Sequence, residues 1–599
     1  MYFHEVSYIV NRTLNGSKKH FEILKGVSGC IACGKLTGML GVSGAGKTSL
    51  LKILGAAGGR SSLPQGAEGN FIGFPIKCLF VSQESIIMDS LTVEEQIYFS
   101  AMLRQPNHVP YKKKLETIDL VIEQLNLNDV RKSYGKVLSG GEKRRLAIGL
   151  ELVAVDINST INTDSDSNNN FNRLFLLDEP LSGLDSIIAL QLVKCLSNIA
   201  KRFKLSIVMS VHQPSNEMYD LLDDIMFIDS GKMAYHGPAK NALVLIPDGI
   251  LSNDYPAGRC PADILLQYGK NIFNKNEDVG IFIKSHEWLT TSIPHETKNR
   301  RKVSAKIFKQ LWYLAWRSTL NISRNPELLQ YHLTISLCSA LFLGTVFFNV
   351  TDDLAGFQNR AGAIFFVLLC FSFSSLSAIE VFIKDRKILT QELKNHYYVR
   401  GAYFIVQILS DIILLRLMPT LLFALVFVAM MGLRSQATHM LIFTYILILV
   451  NCICGCFSMI LAIIHSNVAA ATITSNLFIL ISCLFGGLVV NTAATPTFLA
   501  WMRSISYFYY SFQGLLANEV NGMDLRFNPG GGSGGIKVKG ETYMEVLGLK
   551  PNLSHDLEML TWLTFSVILL TALTLFLFVP VNSIRNSYRF VVQMVMVRK

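Results

Sequence analysis

Eight residues near the start of the chain combine glycines, a lysine and a threonine in an order that suits phosphate binding. The apolar run Leu36–Leu40 precedes them and the helix-like stretch 49–54 follows them, so they lie where a strand passes into a helix. Glycines here let backbone N–H groups surround phosphate oxygens, and the helix N-terminus adds a favourable dipole. Lys47 supplies a positive charge, and the hydroxyl of Thr48 can reach a Mg²⁺ ion. The predicted phosphate-binding loop consists of Gly41, Val42, Ser43, Gly44, Ala45, Gly46, Lys47 and Thr48, with Ser49 in the helix that follows.

Two adjacent carboxylates end a second apolar stretch. Asp178 and Glu179 follow Leu174–Leu177 directly. Two charges at the end of a buried strand are costly unless they are used. In sites of this pattern the first carboxylate holds Mg²⁺, and the second polarises the water that attacks the γ-phosphate.

A glutamine and a histidine also follow predicted strands. Gln83 comes after strand 77–81, and its side-chain oxygen can complete Mg²⁺ coordination or orient a water; the alternative is an ordinary surface glutamine. His212 ends the apolar stretch 207–211, where it is a candidate γ-phosphate contact or, alternatively, a structural histidine.

A second group of small residues precedes a basic helix predicted at 143–152. A serine and two glycines at a helix N-terminus form an anion-binding nest, and this one lacks a lysine of its own, so it suits a nucleotide held elsewhere. For Lys143, Arg144 and Arg145 we expect a solvated helix face. The nest consists of Ser139, Gly140, Gly141 and Glu142.

These motifs, with a Gly-Leu-Asp turn ending at Asp185, occur in one order between residues 41 and 212 and resemble the nucleotide-binding domain of ABC transporters. The resemblance implies ATP and Mg²⁺ as cofactors and ATP hydrolysis as the activity. Family members close two such domains head to tail, and one set of motifs implies a dimer. The implied roles are Walker A for 41–48, Q-loop for Gln83, signature for 139–142, Walker B for Asp178, catalytic base for Glu179, D-loop for Asp185 and switch for His212.

The composition of the chain indicates a membrane protein. Half of its 599 residues are apolar and 17% are charged, and the apolar residues concentrate in the second half. The chain has a net charge of +11, and its excess basic residues lie beside apolar spans, where cytoplasmic Lys and Arg are expected. We therefore expect no nucleic-acid partner. The Asn-, Ser- and Asp-rich insert 155–172 has a composition that cannot form a core, and we expect it to be a dispensable surface loop.

Six apolar segments are long enough to cross ~30 Å of hydrocarbon as helices. With the ATPase part inside, six spans return the C-terminus to the cytosol, and basic residues in 383–411 and in the tail agree with cytoplasmic termini. A helix beginning at Ile307 has amphipathic spacing and follows the basic stretch 298–306, which suits a membrane surface. The predicted spans are 331–350, 361–383, 412–431, 439–464, 468–490 and 560–579.

An ATPase domain followed by the membrane spans is the domain order of the G subfamily of ABC half-transporters. Short sequences at 359–362, 373–380 and 487–491 resemble the White and breast-cancer-resistance type of this subfamily. That resemblance implies that Phe373 clamps flat substrates and that Leu488 and Val489 form an apolar plug above the cavity. The polar residues expected just before Phe373 are replaced by Leu369, Cys370 and Phe371, so we expect a cavity without those hydrogen-bond donors and a more apolar cargo. Glu380 and Arg416 lie at or near membrane depth and are either mechanistic groups or structural ion pairs.

The predicted fold is therefore an α/β P-loop NTPase domain of ABC type, with an antiparallel β-layer and a helical subdomain, followed by an all-α domain of six transmembrane helices. The expected function is ATP-driven export of lipophilic or amphipathic molecules by a dimer, with the plasma membrane favoured over an organelle membrane. Two alternatives stay open: an obligate heterodimer that moves sterols, lipids or pigment precursors, and a membrane-anchored regulatory ATPase. The predicted domains are 1–240 for nucleotide binding, 241–306 as linker, 307–330 as connecting helix and 331–599 as the membrane domain, with an external loop at 491–558.

Overall fold

The chain divides into an α/β unit and a helical unit. In the computed structural model the first contains Met1–Tyr313 and the short segment Thr390–Val399, and the second contains Leu314–Leu389 and Arg400–Pro580. The predicted fold class is confirmed. The structure describes residues 1–14, 17–58, 63–73, 78–154, 173–245, 260–273, 305–434, 436–465, 467–490, 496–527 and 536–579.

A six-stranded sheet carries the predicted site residues of the α/β unit. Its order is β5-β6-β7-β3-β8-β9, and every neighbouring pair is parallel except β8 with the edge strand β9. β3, β5, β6, β7 and β8 are buried along their whole length, which explains their nearly continuous apolar sequences. The strands are β3 (Leu36–Leu40), β5 (Cys78–Val81), β6 (Leu174–Leu177), β7 (Ser206–Ser210), β8 (Asp224–Asp229) and β9 (Lys232–Pro238).

A separate antiparallel sheet confirms the predicted β-layer. It contains β1 (Tyr2–Leu14), β2 (Ser17–Cys30) and β4 (Ala67–Ile72) in the order β2-β1-β4. Together with the first helix it encloses a core that includes Phe3, Val6 and Leu24.

Helices cover the sheet and form the helical subdomain. Thr92 caps the second helix: its hydroxyl accepts from the N–H of Glu95 at 3.3 Å, and the Glu95 carboxylate accepts from the N–H of Thr92 at 3.0 Å. The helices are α1 (Lys47–Ala57), α2 (Val93–Arg104), α3 (Tyr111–Gln124), α4 (Gly140–Leu152), α5 (Ser186–Arg202), α6 (Asn216–Asp220) and α7 (Pro261–Phe273). The insert 155–172 and most of the predicted linker lie outside the described residues.

The rest of the described chain is almost entirely helical. A π-helical turn, Asp411–Leu417, joins the helices Arg400–Ser410 and Met418–Met431, and a two-stranded ribbon of β10 (Asp524–Phe527) and β11 (Ile536–Lys539) follows the helix Tyr507–Val520. The helices are α8 (Ile307–Arg324), α9 (Glu327–Val346), α10 (Leu354–Ser374), α11 (Ser377–Lys394), α12 (Arg400–Ser410), α13 (Met418–Met431), α14 (Ala437–Ile464), α15 (Val468–Leu484), α16 (Ala500–Ile505), α17 (Tyr507–Val520), α18 (Gly540–Val546) and α19 (Leu553–Phe578).

Five stretches of helix in the described chain are long and apolar enough to cross a membrane. A sixth predicted span falls on α15, which is apolar but has 17 residues. The connecting helix α8 exposes Phe308 and Trp312 on one side and buries Leu314 on another, as its amphipathic spacing predicts. The five stretches are Glu327–Val346, Leu354–Lys394, Arg400–Met431, Ala437–Ile464 and Leu553–Phe578.

Candidate active site

The predicted phosphate-binding loop connects β3 to α1. Gly41, Gly44 and Gly46 all have positive φ, and at Gly41 an added Cβ would lie 2.3 Å from the carbonyl oxygen of Ile228, so only glycine fits there. Lys47 points into the loop, where its ammonium donates to the carbonyls of Gly41 at 2.6 Å and Val42 at 3.1 Å. Burial lowers the pKa of Lys47, while the nearby carboxylates of Asp178 and Glu179 oppose that shift.

Oxygen donors from two motifs meet beside the loop. The hydroxyl of Thr48 donates to Oδ1 of Asp178 at 3.0 Å, although 130 positions separate the two residues. A hydroxyl and a carboxylate this close form the hard-oxygen donor set that Mg²⁺ prefers. These residues therefore fit a magnesium ion held together with phosphate oxygens.

Glu179 lies between Gln83 and His212, the two other residues predicted to take part in catalysis. Its Oε2 accepts from the amide Nε2 of Gln83 at 2.6 Å, and its Oε1 lies 2.7 Å from Nε2 of His212. The three residues follow β5, β6 and β7, which are neighbours in the sheet, so their carboxyl ends meet at one edge. A carboxylate in this position can take a proton from an attacking water.

Ser210 belongs to the same edge and was not among the predicted residues. Its hydroxyl accepts from the N–H of Glu179 at 2.7 Å and donates to Oδ1 of Asp178 at 3.2 Å. The signal was present in the sequence, because Ser210 ends the strand that precedes His212, after the apolar residues 207–209.

The prediction of a solvated helix face is wrong for Arg144. Its side chain is not on a solvated helix face: the residue is 3% exposed, and its guanidinium donates to three backbone carbonyls, those of Ser82, Gln83 and Asp178. Arg145 also turns inward enough to donate to the carbonyls of Leu125 and Asn126, near the end of α3. Helical periodicity alone could not reveal this, because the carbonyls belong to chain segments remote from α4.

The signature residues form a well-capped helix start. Ser139 is the N-cap of α4: its hydroxyl lies 2.8 Å from Oε2 of Glu142, which also accepts from the N–H of Ser139 at 2.8 Å. Asp185 caps α5 through the N–H of Ser186 at 2.9 Å. Within the part of the chain that the structure describes, no hydrogen bond joins Ser139, Gly140, Gly141, Glu142 or Asp185 to the loop at 41–48.

Two of the five predicted cavity residues line a described cavity of the helical unit. Cys370 and Phe373 line a cavity of about 380 Å³ between α9 and α10, and Phe373 is 40% exposed. Leu369 and Leu488 instead pack against the aromatic core of the helical unit. Val489 is 56% exposed and does not line this cavity.

Polar side chains also line this cavity, several of them outside the stretch just before Phe373 from which a more apolar cargo was expected. His332 lies 2.9 Å from the hydroxyl of Ser377 and 3.4 Å from that of Ser374. Ser336 and Ser339 add two more hydroxyls. The prediction considered only residues just before Phe373 on α10, whereas three of these polar side chains come from α9.

The ionisable residues at membrane depth form two different kinds of pair. Arg416 is fully buried, with Asp411 at 3.0 Å and the amide oxygen of Asn451 at 2.9 Å. Glu380 and Lys384 form an exposed pair one turn apart on α11 at 2.7 Å. Arg416 therefore has a structural partner, one of the two predicted possibilities.

Comparisons with known proteins agree with this arrangement. Residues 24–155 match the family described as ABC transporter, and residues 309–520 match the family described as ABC-2 type transporter. The broad substrate specificity ATP-binding cassette transporter ABCG2 of Mus musculus is 30% identical over 588 residues, which covers 88% of this chain and 85% of that protein.

Two further relatives come from other organisms. Protein white of Drosophila melanogaster is 28% identical over an aligned region that covers 85% of this chain and 76% of that protein. A probable ATP-dependent permease of Saccharomyces cerevisiae is 28% identical, with 95% of this chain and 62% of that protein covered.

Proposed function

This chain belongs to the G subfamily of ABC half-transporters, and from that membership we propose how its residues bind ATP, hydrolyse it and couple it to export. The chain is an ATP-driven integral membrane transporter with several spans, and its soluble unit is the ATPase. The residues that do the work, the cargo and the assembly are the proposals that follow.

The ATP phosphates bind in the loop at 41–48, with Lys47 as the cation and Ser49 in the first turn of α1. Thr48, Asp178 and Gln83 supply oxygen ligands for Mg²⁺, which neutralises charge on the phosphates when it is bound. Glu179 accepts the proton of the attacking water, and His212 contacts the γ-phosphate. The observation that carries this proposal is the Glu179 carboxylate, which lies within 2.7 Å of both Gln83 and His212.

Substituting Glu179 by Gln tests the assignment. The amide cannot accept the proton, so kcat for ATP is expected to fall by at least about a hundredfold, while ATP still binds and becomes trapped. Glu123→Gln, an exposed glutamate on α3, is the matched control and should hydrolyse ATP normally. Steady-state ATPase and retention of radiolabelled ATP are measured in lipid. Undiminished hydrolysis by Glu179→Gln would mean that another group is the base.

The assembly we propose is a dimer with two composite sites. Ser139, Gly140, Gly141, Glu142 and Asp185 bind the nucleotide that the partner's loop holds. Ser139 and Asp185 are the N-caps of α4 and α5, where the helix dipole favours phosphate oxygens, which supports this arrangement. The partner is a second copy of this chain or another half-transporter. All the predicted catalytic residues are present in this chain, which favours a homodimer with two competent sites.

The proposed cargo is an amphipathic or lipophilic small molecule that enters from membrane lipid. Cys370 and Phe373 contribute an apolar wall and an aromatic face to the cavity, and the hydroxyls around His332 provide hydrogen bonds for one polar group. This polar side favours an amphipathic cargo over a wholly apolar one. The plug role of Leu488 and Val489, cytoplasmic termini and a plasma-membrane location stay predictions.

A further inference from the structure

One peptide group in the site is held at both of its polar atoms. The carbonyl oxygen of Asp178 accepts from Nη2 of Arg144 at 2.5 Å, and the N–H of Glu179, which belongs to the same peptide group, donates to Oγ of Ser210 at 2.7 Å. The peptide group lies at the carboxyl end of β6, and Ser210 ends the neighbouring strand β7. Rotation of this peptide would break both bonds together.

The backbone at Glu179 has a reason to need such support. Its φ is 47°, in the left-handed region that residues other than glycine rarely occupy. Strained conformations of this kind persist only when surrounding contacts determine them, and they concentrate at functional sites. Here the conformation directs the carboxylate towards Gln83 and His212.

Arg144 also holds the segment that carries Gln83. Its Nη1 donates to the carbonyls of Ser82 at 2.6 Å and Gln83 at 2.9 Å, so one planar guanidinium joins the ends of β5 and β6. Burial lowers the pKa of Arg144 to about 10, which still leaves the group charged at neutral pH.

We propose that Arg144 is a positioning residue for hydrolysis, which together with Ser210 fixes the Asp178–Glu179 peptide and thereby holds the Glu179 carboxylate in line with Gln83. The inference rests on the proposed role of Glu179 as the base. Arg144 lies on α4, whose N-cap is Ser139, so the helix that carries the signature residues also supports the base of its own chain.

The test compares ATPase kinetics of Arg144→Met, Arg144→Lys and Ser210→Ala in the full-length protein in lipid. Misplacement of a catalytic group by about 1 Å can lower the rate by a hundredfold, so kcat should fall at least roughly tenfold in Arg144→Met and Ser210→Ala. The KM for ATP should stay within about twofold of wild type, because the loop at 41–48 is untouched. Lysine keeps the charge but lacks the planar fork, so Arg144→Lys should recover only part of kcat.

Arg145→Met is the matched control on the same helix. It removes bonds to Leu125 and Asn126, which lie away from Asp178, so it should lower the melting temperature and leave kcat unchanged. If Arg144→Met fails to fold, Arg144→Lys and Ser210→Ala decide the question. The proposal is overturned if both keep kcat within about twofold of wild type while Glu179→Gln is inactive. An active Glu179→Gln would instead reject the assignment of the base.

Discussion

Single buried side chains decide the chemistry at the residue scale. Asp178 and Glu179 are adjacent in sequence but do different work, because Asp178 faces the hydroxyl of Thr48 and Glu179 faces Gln83 and His212. The difference comes from the backbone: the left-handed turn at Glu179 sends the second carboxylate away from the first. A substitution that relaxes this turn would damage catalysis without removing any catalytic atom.

Another residue-scale prediction concerns His236, on β9. Its Nδ1 accepts from the N–H of Cys30 at 3.3 Å, and burial lowers its pKa to about 4 from an ordinary value near 6.5. Between these two values the unfolded chain binds a proton that the folded chain does not, so stability falls as the pH falls from about 6.5 to about 4. His236→Asn removes the titrating group. Its melting temperature should therefore fall less between pH 7.5 and pH 5 than that of wild type.

The control for this prediction is His108→Asn, at an exposed position between α2 and α3. It should respond to pH as wild type does. Melting curves of the detergent-solubilised protein provide the measurement. Equal acid sensitivity of His236→Asn and wild type would show that His236 does not contribute to acid destabilisation.

At the element scale, the segment Thr390–Val399 contains the last turn of α11 and the link to α12, yet it packs within the ATPase unit. The amide of Asn395 donates to Glu151 at 2.5 Å, and Glu151 forms a buried ion pair with Arg104 at 2.8 Å. The Arg104 guanidinium stacks 4.5 Å from the centre of the Tyr397 ring. The segment therefore contacts both α2 and α4, and it leads directly into helices of the membrane domain.

From this packing we predict that Asn395→Ala uncouples hydrolysis from transport. The substitution removes a hydrogen bond to a charged group, typically about 1.5–3 kcal/mol, but leaves the Arg104–Glu151 pair in place. Transport of a lipophilic dye into inverted vesicles should fall several-fold, while ATPase activity stays within about twofold of wild type. Asn128→Ala, at an exposed position beyond α3, is the control. A parallel loss of both activities would argue for general damage to the ATPase unit.

At the scale of the whole molecule, the proposed composite sites require two chains. The loop at 41–48 leads into α1, whereas the signature residues begin α4. In a head-to-tail pair each signature helix start, with its positive dipole, would face the phosphates that the partner binds.

Two inactive variants should therefore restore activity when they are mixed. Lys47→Ala disables the loop, and Ser139→Arg places a bulky side chain in the signature. A mixed dimer keeps one intact site, made from the normal loop of one chain and the normal signature of the other. We expect ATPase activity or ATP trapping to reappear on co-expression, at up to about a quarter of wild type for independent sites.

Pull-down with two different tags must show that mixed dimers form. The baseline is wild type expressed alone, which should hydrolyse ATP in a vanadate-sensitive manner if it forms homodimers. Mixed dimers that neither hydrolyse nor trap ATP would contradict the composite sites. An inactive wild type that gains activity with another half-transporter would indicate an obligate heterodimer.

Local patterns in the amino-acid sequence were sufficient for the motifs and most of the secondary structure. The glycine loop before α1, the apolar strand before Asp178 and the apolar spans all depend on residues close together in the chain. The glycine turn, the apolar run of a strand and the length of a membrane span are all set by neighbouring residues, and these patterns were enough to predict the fold class correctly.

Only the tertiary structure decided which of these elements meet. The order β5-β6-β7 brings Gln83, Glu179 and His212 together, because parallel strands present their carboxyl ends at one edge whatever their separation in sequence. On the pattern of its own helix Arg144 would face solvent. The same packing instead buries it against carbonyls just beyond the ends of β5 and β6. It also places His332, Ser336 and Ser339 of α9 in the same cavity as Cys370 and Phe373 of α10. These contacts depend on how helices and strands pack in space, which spacing along the chain does not encode.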